Sequence, residues 1–86
     1  SGRIGETFDV VVSGISRYGM YVSMLEKPVE GFIPLRALTD DFYLVNEDDY
    51  TIIGRRFGRR FRIGDKIKAR LTGADIYTSR IDFDIA

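Results

Sequence analysis

The sequence contains no cysteine and no histidine. Without cysteine no disulfide can staple the fold, and the absence fits a reducing compartment such as the cytoplasm. Without either residue the chain also lacks the usual nucleophile and base of covalent catalysis, and Ser13, Ser16, Ser23 and Ser79 have no partner base. No glycine-rich phosphate loop occurs, since Gly54-Arg55-Arg56-Phe57-Gly58-Arg59-Arg60 has the wrong spacing for one. The acidic cluster of Glu47, Asp48 and Asp49 with Asp40 and Asp41 misses the spacing of a calcium loop and reads as a solvated hairpin turn. No catalytic residue, metal or cofactor is therefore expected within these residues. No apolar run approaches the roughly 18–20 residues of a membrane span. The start SGRIGETF has neither the charged nor the apolar region of a signal peptide. These absences predict a soluble, cytoplasmic domain that does not enter a membrane.

What is present is enough for one small core. A chain of 86 residues buries only about two-thirds of its unfolded surface. Its 44% hydrophobic content is ordinary for a globular domain, so folding needs no metal and no disulfide. Ser1 and Gly2 read as a tag-cleavage remnant, leaving residues 3–86 as a single domain, expected to be monomeric. The 13 basic and 13 acidic side chains cancel. Their distribution is uneven. Residues 1–53 hold four basic and nine acidic residues, whereas residues 54–70 hold Arg55, Arg56, Arg59, Arg60, Arg62, Lys66, Lys68 and Arg70 against Asp65 alone. A polyanion at close range senses such a patch, because physiological salt screens distant acids over about 8 Å. Solvated strand and loop positions are the plain alternative.

Alternation of apolar and polar residues dominates. Thr7 to Ser13 places Phe8, Val10 and Val12 on one face, followed by a bulge or bend at Gly14. After a turn at Arg17-Tyr18-Gly19, a second strand covers Met20 to Met24 and closes at Pro28. Glu30 to Ile33 forms a short third strand ended by Pro34, and Leu35 to Leu38 fits one helical turn. Lys66 to Ala74 alternates with Ile67, Ala69 and Leu71 inward, Asp75 to Thr78 is a turn, and Arg80 to Ile85 is the final strand. Between the helical turn and the Lys66 strand lies an insertion. Its strands Phe42–Val45 and Tyr50–Ile53 flank the acidic turn, and Arg60–Ile63 follows. The pattern predicts an all-β fold: a five-stranded antiparallel OB-fold barrel with a short helix after the third strand and a β-hairpin insertion before the fourth, with an SH3-like barrel as the alternative.

Taken in order, Gly5, Val12, Ile15, Tyr18-Gly19-Met20-Tyr21-Val22, Glu30-Gly31-Phe32-Ile33, Gly64-Asp65-Lys66-Ile67 and Arg80-Ile81-Asp82-Phe83 resemble the S1 RNA-binding domain over nearly the whole chain. Leu38 to Tyr43, Ile53 to Arg56 and Arg60 to Asp65 resemble more narrowly the C-terminal S1 domain of the ribonuclease R family of exoribonucleases. That resemblance implies a non-catalytic module that holds single-stranded RNA without sequence preference. It also implies a parent nuclease that digests RNA from the 3′ end with Mg²⁺ in a separate catalytic domain. It implies stacking of bases on Tyr18 and Tyr21, and both rings reach one face only if the chain bulges at Gly19. Arg80 and Asp75 match binding positions at the last turn. Arg17, Arg36, Lys66 and Lys68 lie at the edges of the expected face, with Arg59 and Arg60 as further phosphate contacts. Two departures limit the transfer: Pro34 stands where many S1 domains carry histidine, and Ser79 where a second basic residue is common. A module that docks a protein, or another domain of the same enzyme, is the competing reading.

Overall fold

The computed structural model describes residues 3–75 and 80–86, Asp75 by its backbone alone. The alternating segments fold as strands: β1 (Thr7–Ser16), β2 (Gly19–Met24) and β3 (Glu30–Pro34), then a 3-10 turn (Leu35–Ala37). The insertion supplies β4 (Tyr43–Asn46), β5 (Thr51–Gly54) and β6 (Arg60–Arg62), and the chain returns through β7 (Lys66–Asp75) and β8 (Arg80–Ile85). Strands β1-β2-β3-β8-β7 close a barrel, and β4-β5-β6 form a separate three-stranded sheet.

Four seams of the barrel are antiparallel, and β3 meets β8 in parallel at Phe32 and Asp82. This seam departs from the expected wholly antiparallel pattern for a geometric reason. Strand direction cannot alternate around a ring with an odd number of strands, so one seam must be parallel. The two ten-residue strands each serve two seams. Strand β1 pairs with β7 through Thr7 to Val11 and with β2 through Val10 to Ser16. Bulges between Val12 and Gly14 and between Leu71 and Gly73 give both long strands the bend that closure requires.

The inward parity of each strand fills the barrel with Val10, Val12, Met20, Val22, Ile33, Ala69 and Phe83, each at most 1% exposed. Burying each of the larger side chains contributes about 1.5–3 kcal/mol. Leu38, Tyr43, Ile52 and Phe61 from the insertion and its approach join the same cluster, so the insertion is part of the core. It is also tied by backbone: Val12 N–H donates to the Asp65 carbonyl and Gly64 N–H to the Val12 carbonyl, both at 2.8 Å. All three insertion strands start or end differently from the alternation pattern, β6 by stopping at Arg62. Phe42 lies ahead of β4, and Tyr50 adopts φ 54° in the hairpin turn, leaving β5 to begin at Thr51.

Candidate nucleic-acid interface

Ser16 and Gly19 face each other across a two-residue connection, so Arg17 and Tyr18 form the tip between β1 and β2. Gly19 has φ 148°, and a Cβ there would strike the Ile33 carbonyl oxygen and Pro34 Cα. Only glycine lets β2 start this close to β3. The Tyr18 amide donates to Ser16 Oγ at 3.2 Å, and the Tyr18 carbonyl accepts the Leu35 amide at 2.8 Å. The tip is thereby pinned to the 3-10 turn while the Tyr18 ring stays 65% exposed.

Tyr21 points outward by ordinary alternation, between buried Met20 and Val22, and is 47% exposed. No bulge forms at Gly19, and the register shift between β1 and β2 falls between Val12 and Gly14, beside the bend expected at Gly14. Tyr18 escapes strand parity because it belongs to the turn. The Tyr21 ring rests over Gly14, where a Cβ would lie 3.4 Å from Cδ2. Across the β2–β3 seam it meets Phe32, its register partner, with ring centroids 5.0 Å apart and planes at 56°. Two guanidiniums cover these rings. Arg17 lies 5.1 Å from the Tyr18 centroid and Arg80 lies 5.5 Å from the Phe32 centroid, within cation–π range. Arg80 Nε also donates to Asp82 Oδ1 at 2.8 Å, which fixes the fork above the ring.

An open groove of about 870 Å³ joins these groups, lined by Ser16, Arg17, Tyr18, Tyr21, Phe32, Pro34, Leu35, Arg36, Leu38, Asp41, Phe42, Tyr43 and Arg80. Tyr18, Tyr21, Arg17, Arg36 and Arg80, all expected from the sequence, are brought together here. Among the described residues, Arg17 and Arg36 have no carboxylate partner. The one acid on the wall, Asp41, is engaged internally by backbone amides of Phe42 at 2.6 Å, Arg56 at 3.0 Å and Phe57 at 2.8 Å. Burial raises its pKa, but these three donors and the Arg56 charge outweigh that and hold it below 3.8. Its neighbour Asp40 accepts the Tyr43 hydroxyl at 3.1 Å, and burial followed by this carboxylate raises the Tyr43 pKa.

The other expected positions lie elsewhere. Lys66 and Lys68 are exposed on the half of β7 that pairs with β1, opposite Val11 and Asp9, and Lys68 Nζ reaches Asp9 Oδ1 at 2.8 Å. Arg59 lies 4.7 Å from the Phe61 centroid and 3.8 Å from Asp40, and Arg60 is an exposed β6 residue opposite Ile53. None of these four lines the groove. The Asp75 side chain and the rest of the expected Asp75–Thr78 turn lie outside the described residues. Sequence reasoning passed over Phe32 and Phe42. Phe32 could have been found by pairing the second and third strands, which sets it opposite Tyr21. Among the described residues no three His, Cys, Asp or Glu side chains converge to hold a metal, and no helix is long and apolar enough to cross a membrane.

The model of the S1 RNA binding domain matches residues 2–86. The chain belongs to the S1 RNA-binding domain family. An S1 domain is a binding module, which agrees with a groove of rings and guanidiniums. This S1 domain is 37% identical over 84 residues to ribonuclease R of Aquifex aeolicus, covering 98% of this chain and 12% of that protein. It is 41% identical over 81 residues to ribonuclease R of Thermotoga maritima, covering 94% of this chain and 11% of that protein. The S1 domain therefore spans about a tenth of these relatives. Its fold superposes on Mycoplasma genitalium RNase R, solved in complex with ribose methylated single-stranded RNA, with a TM-score of 0.92 and 28% identity. That match covers 100% of this chain and 13% of the RNase R chain.

Proposed function

We propose that this domain holds single-stranded RNA, without selecting its sequence, as a substrate-binding part of a ribonuclease R-like 3′-to-5′ exoribonuclease. The observation that carries the reading is the groove in which Tyr18, Tyr21 and Phe32 present rings while Arg17, Arg36 and Arg80 supply positive charge. Every base has a π face, so stacking tolerates any sequence, and arginines that meet phosphates add affinity without base information. A nuclease that advances along its substrate needs this indifference. The relative solved with single-stranded RNA supports the choice of ligand. The bond-breaking chemistry, with its Mg²⁺, belongs on this reading to another part of the parent enzyme, and the compartment would be the cytoplasm.

Replacing Tyr18 and Tyr21 together by alanine tests the proposal. Both rings are exposed, so the barrel should remain folded. Loss of two stacking platforms should weaken binding by roughly 2–4 kcal/mol, measured by fluorescence anisotropy of a labelled oligouridine. A folded double variant that binds as well as the parent would remove stacking from the function.

A further inference from the structure

Beyond the tyrosines, the groove wall continues into two phenylalanines that protrude from the insertion. Phe42 is 79% exposed and lines the groove, and Phe57 is 72% exposed. The backbone beneath them is fastened. The Asp41 carboxylate accepts the amides of Phe42, Arg56 and Phe57, the Arg55 amide donates to the Phe42 carbonyl at 2.7 Å, and the Gly58 amide donates to the Gly54 carbonyl at 3.0 Å. One carboxylate thus holds both aromatic residues by their main chains. A Cβ at Gly54 would collide with that same carboxylate, so the close approach depends on glycine. The Arg56 guanidinium lies 5.3 Å from the Phe57 centroid, repeating the arginine-on-ring arrangement of Arg17 with Tyr18 and Arg80 with Phe32.

We infer that Phe42 and Phe57, with Arg56, form a second stacking station for single-stranded RNA that extends the groove across the insertion. The inference rests on the reading of the tyrosine groove as an RNA site and lengthens that site. Three features select RNA over a protein surface. The station is continuous with the groove through Phe42 and Asp41. Its Phe57 ring sits in the segment where the sequence concentrates arginine. The ring paired with a guanidinium offers a base a face and a phosphate a charge together. An apolar protein partner would have to desolvate the Arg56 charge and Arg55, for which the described residues offer no carboxylate within ion-pair distance.

The test compares oligouridines of about 4 and about 12 nucleotides, lengths that bracket the span of one OB fold. Binding to the 86-residue chain is measured for the parent, for Phe57→Ala, whose ring lies outside the groove lining, and for Tyr18→Ala with Tyr21→Ala. Unchanged thermal unfolding shows that each variant is folded. The phenylalanine variant should lose roughly fivefold or more on the long RNA. On the short one it should change by less than about twofold, because a short strand fills the tyrosine groove alone. No loss on either length, the result expected if these rings dock another protein surface, would overturn the second station. So would an equal loss on both lengths. Failure of the tyrosine variant to weaken the short RNA would instead overturn the groove reading, and the two failures are told apart by which variant is silent.

Discussion

At the scale of single residues, close approach rather than charge decides what may be substituted. Gly31 sits in β3 where a Cβ would enter the Phe83 ring and crowd the Ile81 carbonyl, in the seam that closes the barrel. Phe83 is 1% exposed and has little room to yield. Gly31→Ala should therefore destabilise the domain by about 1–3 kcal/mol through overpacking. In a chain of this size that lowers the melting temperature by several degrees to roughly 20 °C, read by circular dichroism. An unchanged melting temperature would mean that Phe83 shifts freely. The sequence made Gly31 visible as part of a motif, but not its reason, because Phe83 lies 52 positions away in the chain. Tyr18 and Tyr21 were legible as a pair. Their route to a common face was not: Tyr18 was expected in a turn, yet strand parity was still applied across Gly19, and parity holds only within strands.

At the scale of elements, the insertion behaves as a small sheet locked by one carboxylate. Asp41 gains its depressed pKa in the folded state, so its contribution is present above its unfolded value and is lost as pH falls through the lower folded value. The amide resonances of Arg56 and Phe57, followed from about pH 6 to about pH 2, should titrate together with a midpoint below 3.8. Barrel amides such as those of Val22 and Ile33 should not follow them. A midpoint at or above 3.8 would contradict the three-amide clasp. The strands themselves were largely readable from alternation, including the hairpin of the insertion and the polar-out face of β7. The clasp was not. Asp41 read as one member of an acidic run, and its partners at Arg56 and Phe57 lie 15 and 16 residues on. Phe42 was read as a strand residue, whereas it lies just ahead of β4 and lines the groove.

At the scale of the whole molecule, a basic run in sequence is not one basic surface in space. Of the eight cations between residues 54 and 70, Arg59, Lys68 and Arg70 have carboxylates within ion-pair distance in Asp40, Asp9 and Asp84. These pairs are exposed, and such pairs stabilise by about 0–1 kcal/mol each, but they lower the field a polyanion meets. The cations of the groove, Arg17, Arg36 and Arg80, come instead from three separated places in the chain, which the barrel gathers around its aromatic face. RNA should therefore be felt there and not along the β1–β7 seam. The most direct measurement is a titration of the 86-residue chain with a short oligouridine, followed through backbone amide shifts. The shifts should concentrate at Arg17, Tyr18, Tyr21, Phe32 and Arg80 and leave Lys66 to Arg70 nearly still. Shifts confined to Lys66 through Arg70, with Arg17 to Tyr21 unmoved at saturation, would contradict the groove as the RNA site.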